Sequence, residues 1–273
     1  MKRKVTIIGG IILAVGIFCA GAAFYAWQEE QKAGREYEEL KEEVVKEVTP
    51  TVTVSPEPDI AEQKEPPQVP IDFAALREKN PDVYAWIRIP GTDIDYPVLQ
   101  REGDNSYYLN HTLEGKEKQE GAIFTESYNG QDFSDPNTVI YGHNMKNGTM
   151  FRQLHEYQDR KFMQENSEVL IYQPGRILQY QIFAAYVYDN RHLLQSFDFE
   201  DPQVFQSYLK SVQERKDMTS SIDTSVELTG EDPILTLSTC NGNDEQRYLV
   251  QAVLLSIEQE SSSDGSAAID KES

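Results

Sequence analysis

Two short segments of the sequence carry side chains that could act together in nucleophilic catalysis. Residues 236–240 (TLSTC) end in Cys240, and Arg247 follows after a polar loop, while residues 139–144 contain His143. A thiolate is a strong nucleophile, an imidazole gives and takes protons near neutral pH, and a guanidinium keeps its positive charge. These three side-chain types are sufficient for acyl transfer through a thioester.

Each of these residues also has an ordinary structural explanation. A cysteine is often a small buried apolar residue, a histidine after a strand often only packs, and an arginine is often a surface charge. Cys240 is nevertheless the only cysteine besides Cys19. If the domain is exported, such a thiol is open to oxidation, which favours a functional reason for its presence.

The residue patterns place both segments at the ends of strands. Five segments rich in Val, Ile, Leu, Tyr and Thr are predicted strands: residues 137–141, 168–172, 177–188, 234–239 and 248–257. Along the strand that begins at Ile234, Ser238 and Cys240 share one face and Thr239 lies on the other. A cysteine at this strand end presents its sulfur at the rim of the sheet, and the short loop returns Arg247 beside it.

Two helices are predicted between these strands. Asp201 and Pro202 form a typical start, with an acidic N-cap and proline at the first helical position. Apolar residues then follow at helical spacing, at Val204, Phe205, Tyr208, Leu209 and Val212. A second helix is predicted within residues 149–164. Short strands interrupted by one or two helices predict a mainly β (α+β) fold, a small mixed barrel.

Composition excludes several classes of protein. The chain has 25 Lys and Arg against 46 Asp and Glu, a net charge of −21. This argues against nucleic acid as a partner, because phosphate binding needs a basic face. A hydrophobic content of 39% supports a folded core and excludes a wholly disordered chain. Two cysteines exclude a disulfide scaffold, and the four scattered histidines predict no metal site.

The first 27 residues predict a membrane anchor. Three basic residues at positions 2–4 precede an uncharged run of 23 residues, Val5 to Trp27. At about 1.5 Å per residue this run would cross a hydrocarbon core of about 30 Å. The positive-inside rule places the basic start in the cytoplasm and the rest of the chain outside the cell. The alternative is a cleaved signal peptide, because residues 20–22 read Ala-Gly-Ala.

The rest of the chain divides into three predicted parts. Residues 28–70 are acidic and carry six prolines from Pro50 to Pro70, which predicts an extended stalk. Residues 71–257 hold all of the predicted strands and form the predicted catalytic domain. Residues 258–273, rich in Ser, Asp and Ala, predict a disordered tail.

At its candidate catalytic residues the sequence resembles the sortases, the cell-wall cysteine transpeptidases of Gram-positive bacteria. Residues 236–240 are similar to the TLxTC motif of that family, and residues 141–143 (YGH) and Arg247 match its histidine and arginine positions in the same order. The similarity covers most of 71–257. The resemblance implies a sortase-like mixed β-barrel of about eight strands with a few helices. A long helix between the last barrel strands, here beginning at Pro202, is a feature of class B sortases.

The resemblance also implies roles for individual residues. Cys240 would be the nucleophile, His143 the acid and base, and Arg247 the clamp on the transition state. The positions that match the substrate groove are Asn105, Leu109, Ser238 and Thr239. Residues 188–197 would form a wall of that groove, and no metal or organic cofactor is implied.

The implied function is that of a membrane-anchored cysteine transpeptidase. It would cleave a C-terminal sorting signal of surface proteins and pass them, through a thioester, to an amine of peptidoglycan or its precursor. Its partners would be those surface proteins, that amine, and the membrane through the N-terminal helix. Three alternatives stay open: a pilin-polymerising sortase that uses a pilin lysine, a cysteine peptidase in which water resolves the thioester, and a non-catalytic wall-facing binding module.

Overall fold

Strands dominate the part of the chain that the computed structural model describes, which is residues 34–46, 68–243 and 245–259 with a few isolated positions between 18 and 32. The strands are β1 (Val83–Arg88), β2 (Asp95–Leu99), β3 (Ile123–Thr125), β4 (Asn137–Tyr141), β5 (Glu168–Gln173), β6 (Arg176–Asp189), β7 (Ser221–Ile222), β8 (Ile234–Cys240) and β9 (Gln246–Gln259). The α-helices that follow residue 70 are α1 (Phe73–Lys79), α2 (Arg160–Glu165), α3 (Leu193–Ser196) and α4 (Pro202–Gln213). Short 3-10 helices cover Tyr107–Leu109 and Arg152–Gln158.

Eight of these strands close into a mixed barrel. The order around the barrel is β1, β2, β3, β4, β8, β9, β6 and β5, and β5 pairs with β1 to complete it. Most neighbours are antiparallel, but β2 and β3 are parallel, as are β4 and β8. Strand β7 adds to β6 outside this ring. The predicted mixed barrel of about eight strands with a few helices is confirmed.

Apolar packing explains the barrel and the long helix outside it. Large buried side chains such as Trp86, Tyr180 and Tyr248 belong to the main core. A second cluster joins α4 to the sheet, because Phe205 and Leu209 of the helix pack with Phe183 and other apolar side chains of the neighbouring strands. The predicted start of α4 is confirmed, since the Asp201 side chain accepts hydrogen bonds from the first turn. The helix lies between β6 and β8 in the chain, as the resemblance implies.

The second predicted helix, within residues 149–164, is interrupted. Residues 152–158 form a 3-10 helix, and α2 starts only at Arg160. Asp159 has an extended backbone, and its side chain accepts a hydrogen bond from Lys161 N. An acidic residue that caps a new helix therefore divides the segment into two short pieces.

Residues 34–44, predicted as part of the stalk, form a helical segment that packs on the barrel. Its buried residues belong to the main core and are Tyr37, Leu40 and Val44. Val45, which follows the segment, forms an isolated β-bridge with Ile71. This segment is thus part of the core of the barrel. Residues 47–67 and 260–273 lie outside the described residues. The division into stalk, catalytic domain and tail stays a prediction.

The predicted single-pass membrane location, with a cytoplasmic N-terminus and an extracellular catalytic domain, is corrected here. Within 34–46, 68–243, 245–259 and the isolated positions before them, no helix combines the length and the apolar character needed to cross a bilayer. The helical segment 34–44 is rich in Glu, Lys and Arg, which are costly to place in hydrocarbon. Most of residues 1–27, on which the prediction depended, lie outside the described residues.

Candidate active site

The hairpin between β8 and β9 sets Arg247 directly opposite Cys240. Residues paired in this way have Cα atoms about 4.5–5.5 Å apart. Two hydrogen bonds close the intervening loop, from Gln246 N to Asn243 O at 3.1 Å and from Asn241 Nδ2 to Gln246 Oε1 at 3.0 Å. The loop therefore returns the guanidinium-bearing residue to the nucleophile position, as the spacing of the two residues predicts.

The parallel pairing of β4 with β8 carries His143 to the same rim of the barrel. Gly142 N donates to Ser238 O at 3.1 Å, so the chain leaves β4 in register with β8. His143 then hydrogen-bonds the side chain of Cys240. Its Nε2 also lies 2.7 Å from Leu109 O. Because a carbonyl oxygen only accepts, this second bond fixes a proton on Nε2 and orients the ring.

The surroundings of His143 favour its protonated form. The hydrogen bond to Cys240 raises the pKa of His143 above its ordinary value, and the Leu109 carbonyl adds to this, while burial opposes it. A charged imidazolium therefore persists to higher pH beside Cys240. With Arg247 on the neighbouring strand, the rim offers a nucleophile, a proton donor and a fixed positive charge.

Only glycine fits at the position before His143. A Cβ atom on Gly142 would lie 2.5 Å from Ile123 Cδ1 and 2.7 Å from the Phe151 ring. We expect Gly142→Ala to push His143 out of place, lowering kcat/KM about tenfold and the free energy of unfolding by about 1–3 kcal/mol, typical of overpacking. Peptide-cleavage kinetics and thermal unfolding measure both effects.

Gly34→Ala is the matched control for that substitution. It adds the same methyl group 3.3 Å from the Thr149 methyl, in a helical segment where alanine is favoured over glycine. Wild-type kinetics are expected for Gly34→Ala. Equal kinetics for Gly142→Ala would contradict the steric requirement at Gly142.

A groove of about 280 Å³ opens beside Arg247 on the outer side of β4 and β8. Three of the four predicted substrate residues line it together with Arg247: Asn105, Leu109 and Ser238. Thr239 is not brought to the groove, since it is 2% exposed and its hydroxyl is buried without a hydrogen-bond partner. The groove wall includes Tyr188 and residues 190–193, within the predicted wall segment 188–197.

Asn105 is held in place by a residue that the sequence interpretation missed. Its Oδ1 accepts hydrogen bonds from both Ser127 N and Ser127 Oγ at 2.8 Å. The amide oxygen is therefore occupied, and the Nδ2 group points away from Ser127 as a donor. No local motif marks Ser127, because the contact joins residues 22 positions apart.

The sequence also did not predict a polar cluster in the groove, which connects His192 of the wall to Glu126 and Tyr141. Glu126 Oε2 lies 2.5 Å from His192 Nε2 and accepts a hydrogen bond from the Tyr141 hydroxyl at 3.1 Å. The Tyr128 ring packs edge-on against His192, with centroids 5.3 Å apart. Glu126 and His192 are 66 positions apart in the chain, so only the folded barrel brings them together.

Comparison with known proteins identifies the family to which this fold belongs. The Sortase domain family matches residues 87–255 of the chain. Sortase B of Listeria monocytogenes is 35% identical over 184 residues, which cover 66% of this chain and 72% of that protein. Sortase B of Staphylococcus aureus is 27% identical over 260 residues, covering 94% and 99% of the two chains.

Solved structures give the same result. Sortase B of Clostridium perfringens superimposes with a TM-score of 0.61 at 32% identity, covering 68% of this chain and 100% of that one. A Staphylococcus aureus sortase B–substrate complex gives a TM-score of 0.60 at 32% identity, covering 67% and 84%. The chain therefore belongs to the sortase family, whose members are cysteine transpeptidases that join surface proteins to amines of the cell wall. Within that family it is a class B sortase.

Proposed function

We propose that this sortase cleaves a C-terminal sorting signal of surface proteins and transfers the upstream part to an amine of peptidoglycan or its precursor. The Cys240 thiolate attacks a backbone carbonyl of the signal, the carbon–sulfur bond forms, and the C–N bond of the peptide breaks. The departing amine takes its proton from His143. The acceptor amine then attacks the thioester, gives a proton back to His143, and releases the thiolate.

One observation carries this proposal: Cys240 hydrogen-bonds His143 and lies opposite Arg247, and Arg247 also lines the neighbouring groove. The groove reaches Arg247 from the side of Asn105 and Ser238, which supports these two residues as contacts of the bound signal. Leu109 contributes twice, because its side chain lines the groove and its carbonyl holds His143.

Arg247 is suited to stabilising the tetrahedral intermediate. Its Nη1 donates to Gln246 O at 3.1 Å, which restrains the guanidinium near the hairpin. A fixed positive charge near a developing oxyanion stabilises the transition state more than the neutral substrate. The loop between Cys240 and Arg247 keeps the two residues adjacent, since they are direct partners in the β8–β9 pairing.

Mass spectrometry with and without an added amine tests the proposed reaction. The full chain is incubated with a panel of peptides taken from the C-terminal regions of candidate surface proteins. We expect a covalent adduct on Cys240 with one group of these peptides, and a new amide product when triglycine or a diamino acid is added.

The other outcomes identify the alternatives. Hydrolysis at an unchanged rate with no amide product would indicate a cysteine peptidase. A product formed only with a lysine-containing pilin peptide would indicate a pilin polymerase. Peptide binding without any adduct would indicate a non-catalytic module and would overturn the proposal.

A further inference from the structure

Two side chains converge on the main-chain carbonyl of the candidate nucleophile. Asn144 Nδ2 donates to Cys240 O at 2.9 Å, and His155 Nε2 lies 3.0 Å from the same oxygen. Asn144 directly follows His143, whereas His155 belongs to the 3-10 helix Arg152–Gln158. The two donors are 96 and 85 positions from Cys240 in the chain, so the barrel assembles this contact from separate segments.

The protonation of His155 follows from its partner. His155 Nε2 lies 3.0 Å from Cys240 O and 3.1 Å from Asn144 Nδ2. Since the carbonyl oxygen only accepts, the tautomer with the proton on Nε2 donates to it, and Asn144 Nδ2 is then a second donor to the same oxygen rather than a partner of the ring. Burial lowers the pKa of His155 below its ordinary value, which keeps the ring neutral near neutral pH. The ring also stacks on Tyr248, with centroids 4.8 Å apart and planes at 25°. Tyr248 is fully buried in the barrel, so His155 holds the carbonyl from the core side.

The direction of this carbonyl sets the direction of the next N–H group. The peptide bond between Cys240 and Asn241 is trans. In a trans peptide the C=O and N–H bonds point in opposite directions. Ser238 O accepts from Gly142 N on the β4 side of β8, and alternation along the strand places Cys240 O on the same side, where Asn144 meets it. The Asn241 N–H therefore points to the opposite side, that of β9 and Arg247. The Asn241 side chain, bonded to Gln246 across the loop, restrains the same peptide from its other end.

We propose that Asn144 and His155 are positioning residues that aim the Asn241 N–H at the oxyanion formed when Cys240 attacks a carbonyl. The two residues touch neither substrate nor thiol in this role, and they act through the orientation of one peptide plane. The proposal rests on the proposed function, in which Arg247 stabilises the same oxyanion. Loss of a complete oxyanion donor costs about 10²–10³ in kcat. Loss of its alignment is therefore expected to cost about 10–100-fold.

Two reagents separate this role from a general structural one. p-Nitrophenyl acetate acylates a thiolate through a tetrahedral oxyanion: sulfur bonds to the acetyl carbon and p-nitrophenolate leaves. Iodoacetamide alkylates the same thiolate at a saturated carbon, where iodide leaves and no oxyanion forms. The ratio of the two rates at Cys240 thus reports oxyanion stabilisation independently of thiolate content, and neither reagent requires a sorting signal.

Two substitutions each remove one hydrogen-bond donor to Cys240 O while keeping a side chain of similar shape. His155→Phe retains a ring to stack on Tyr248, and Asn144→Leu retains similar volume. In both we expect acetylation to fall about 10–100-fold while alkylation stays within about twofold. With a peptide substrate, kcat should fall by the same factor and KM should stay unchanged. His155→Gln, which again offers an N–H donor, should recover most of the acetylation rate.

His111→Phe is the matched control. His111 also stacks on a tyrosine, Tyr107, and hydrogen-bonds a main-chain carbonyl, but this carbonyl belongs to Tyr107 and not to Cys240. Its acetylation-to-alkylation ratio should equal that of the wild type. The proposal is overturned if both rates fall together in His155→Phe, if neither rate falls, or if His155→Gln behaves like His155→Phe.

If the proposed function is wrong, the results differ from those that would overturn the positioning role of Asn144 and His155. A wild-type chain that reacts with both reagents but cleaves no peptide of the panel would contradict the proposed substrate class alone. The rate ratios of the variants would still decide whether Asn144 and His155 orient the Asn241 N–H.

Discussion

The Cys240→Ala variant is expected to lose peptide cleavage and amine transfer by a factor of about 10⁴ or more, as when the nucleophile of other acyl-transfer enzymes is removed. The reason is that no other thiol lies in the described barrel to form the thioester. Liquid chromatography of the cleavage products measures the loss, and mass spectrometry should show no covalent peptide adduct on this variant.

Two controls support that test. Cys19→Ala removes the other cysteine of the chain and should keep both the adduct and the wild-type rate. Cys240→Ala itself removes one sulfur from a half-buried site, so its thermal unfolding midpoint should remain close to that of the wild type. Residual activity within about tenfold of the wild type would exclude Cys240 as the nucleophile.

The parts of the fold that depend on local patterns were predictable from the sequence. Residues 137–141 form β4 with the predicted bounds, because a run of β-branched and aromatic residues is bounded by turn formers. The start of α4 was predicted correctly, since an acidic N-cap followed by proline is a local signal. Cys240 and Arg247 were predicted to lie side by side because a short loop between strands leaves few other arrangements.

The contacts that join distant segments were not predictable in this way. The sequence gives no sign that Glu126 meets His192, or that His155 reaches the carbonyl of Cys240. Closure of the barrel creates both contacts, and single-sequence patterns describe only near neighbours in the chain. Thr239 is a different case, because strand alternation places it on the face opposite Ser238 and Cys240, and this local pattern, rather than the family resemblance, predicts its burial correctly.

The helical segment 34–44 shows how composition can hide a local signal. Its five Glu residues favoured a solvated stalk, yet Tyr37, Leu40 and Val44 are spaced at i, i+3 and i+7. That spacing gives one apolar stripe of an amphipathic helix, and these residues pack into the core. Charge on the outer face and packing on the inner face are therefore compatible in one segment.

The His143→Gln variant is expected to show the second largest loss, about 10³-fold in kcat/KM, because general acid–base catalysis contributes about 10²–10⁴-fold. It should also change the pH profile. In the wild type the hydrogen bond to Cys240 raises the pKa of His143, so the imidazolium that protonates the leaving amine is lost only as pH rises through that raised value. Activity should therefore fall on the alkaline side, and also on the acid side where the thiolate is protonated.

Glutamine does not titrate, so the alkaline decline should disappear in His143→Gln while the acid decline remains. Measurement of kcat/KM between about pH 5 and pH 10 checks both limbs. His111→Gln is the control, because His111 also bonds a main-chain carbonyl but lies outside the candidate catalytic set, and its profile should match the wild type. An alkaline decline that survives in His143→Gln would assign that limb to a different group, and His143 would then not be the acid that protonates the leaving amine.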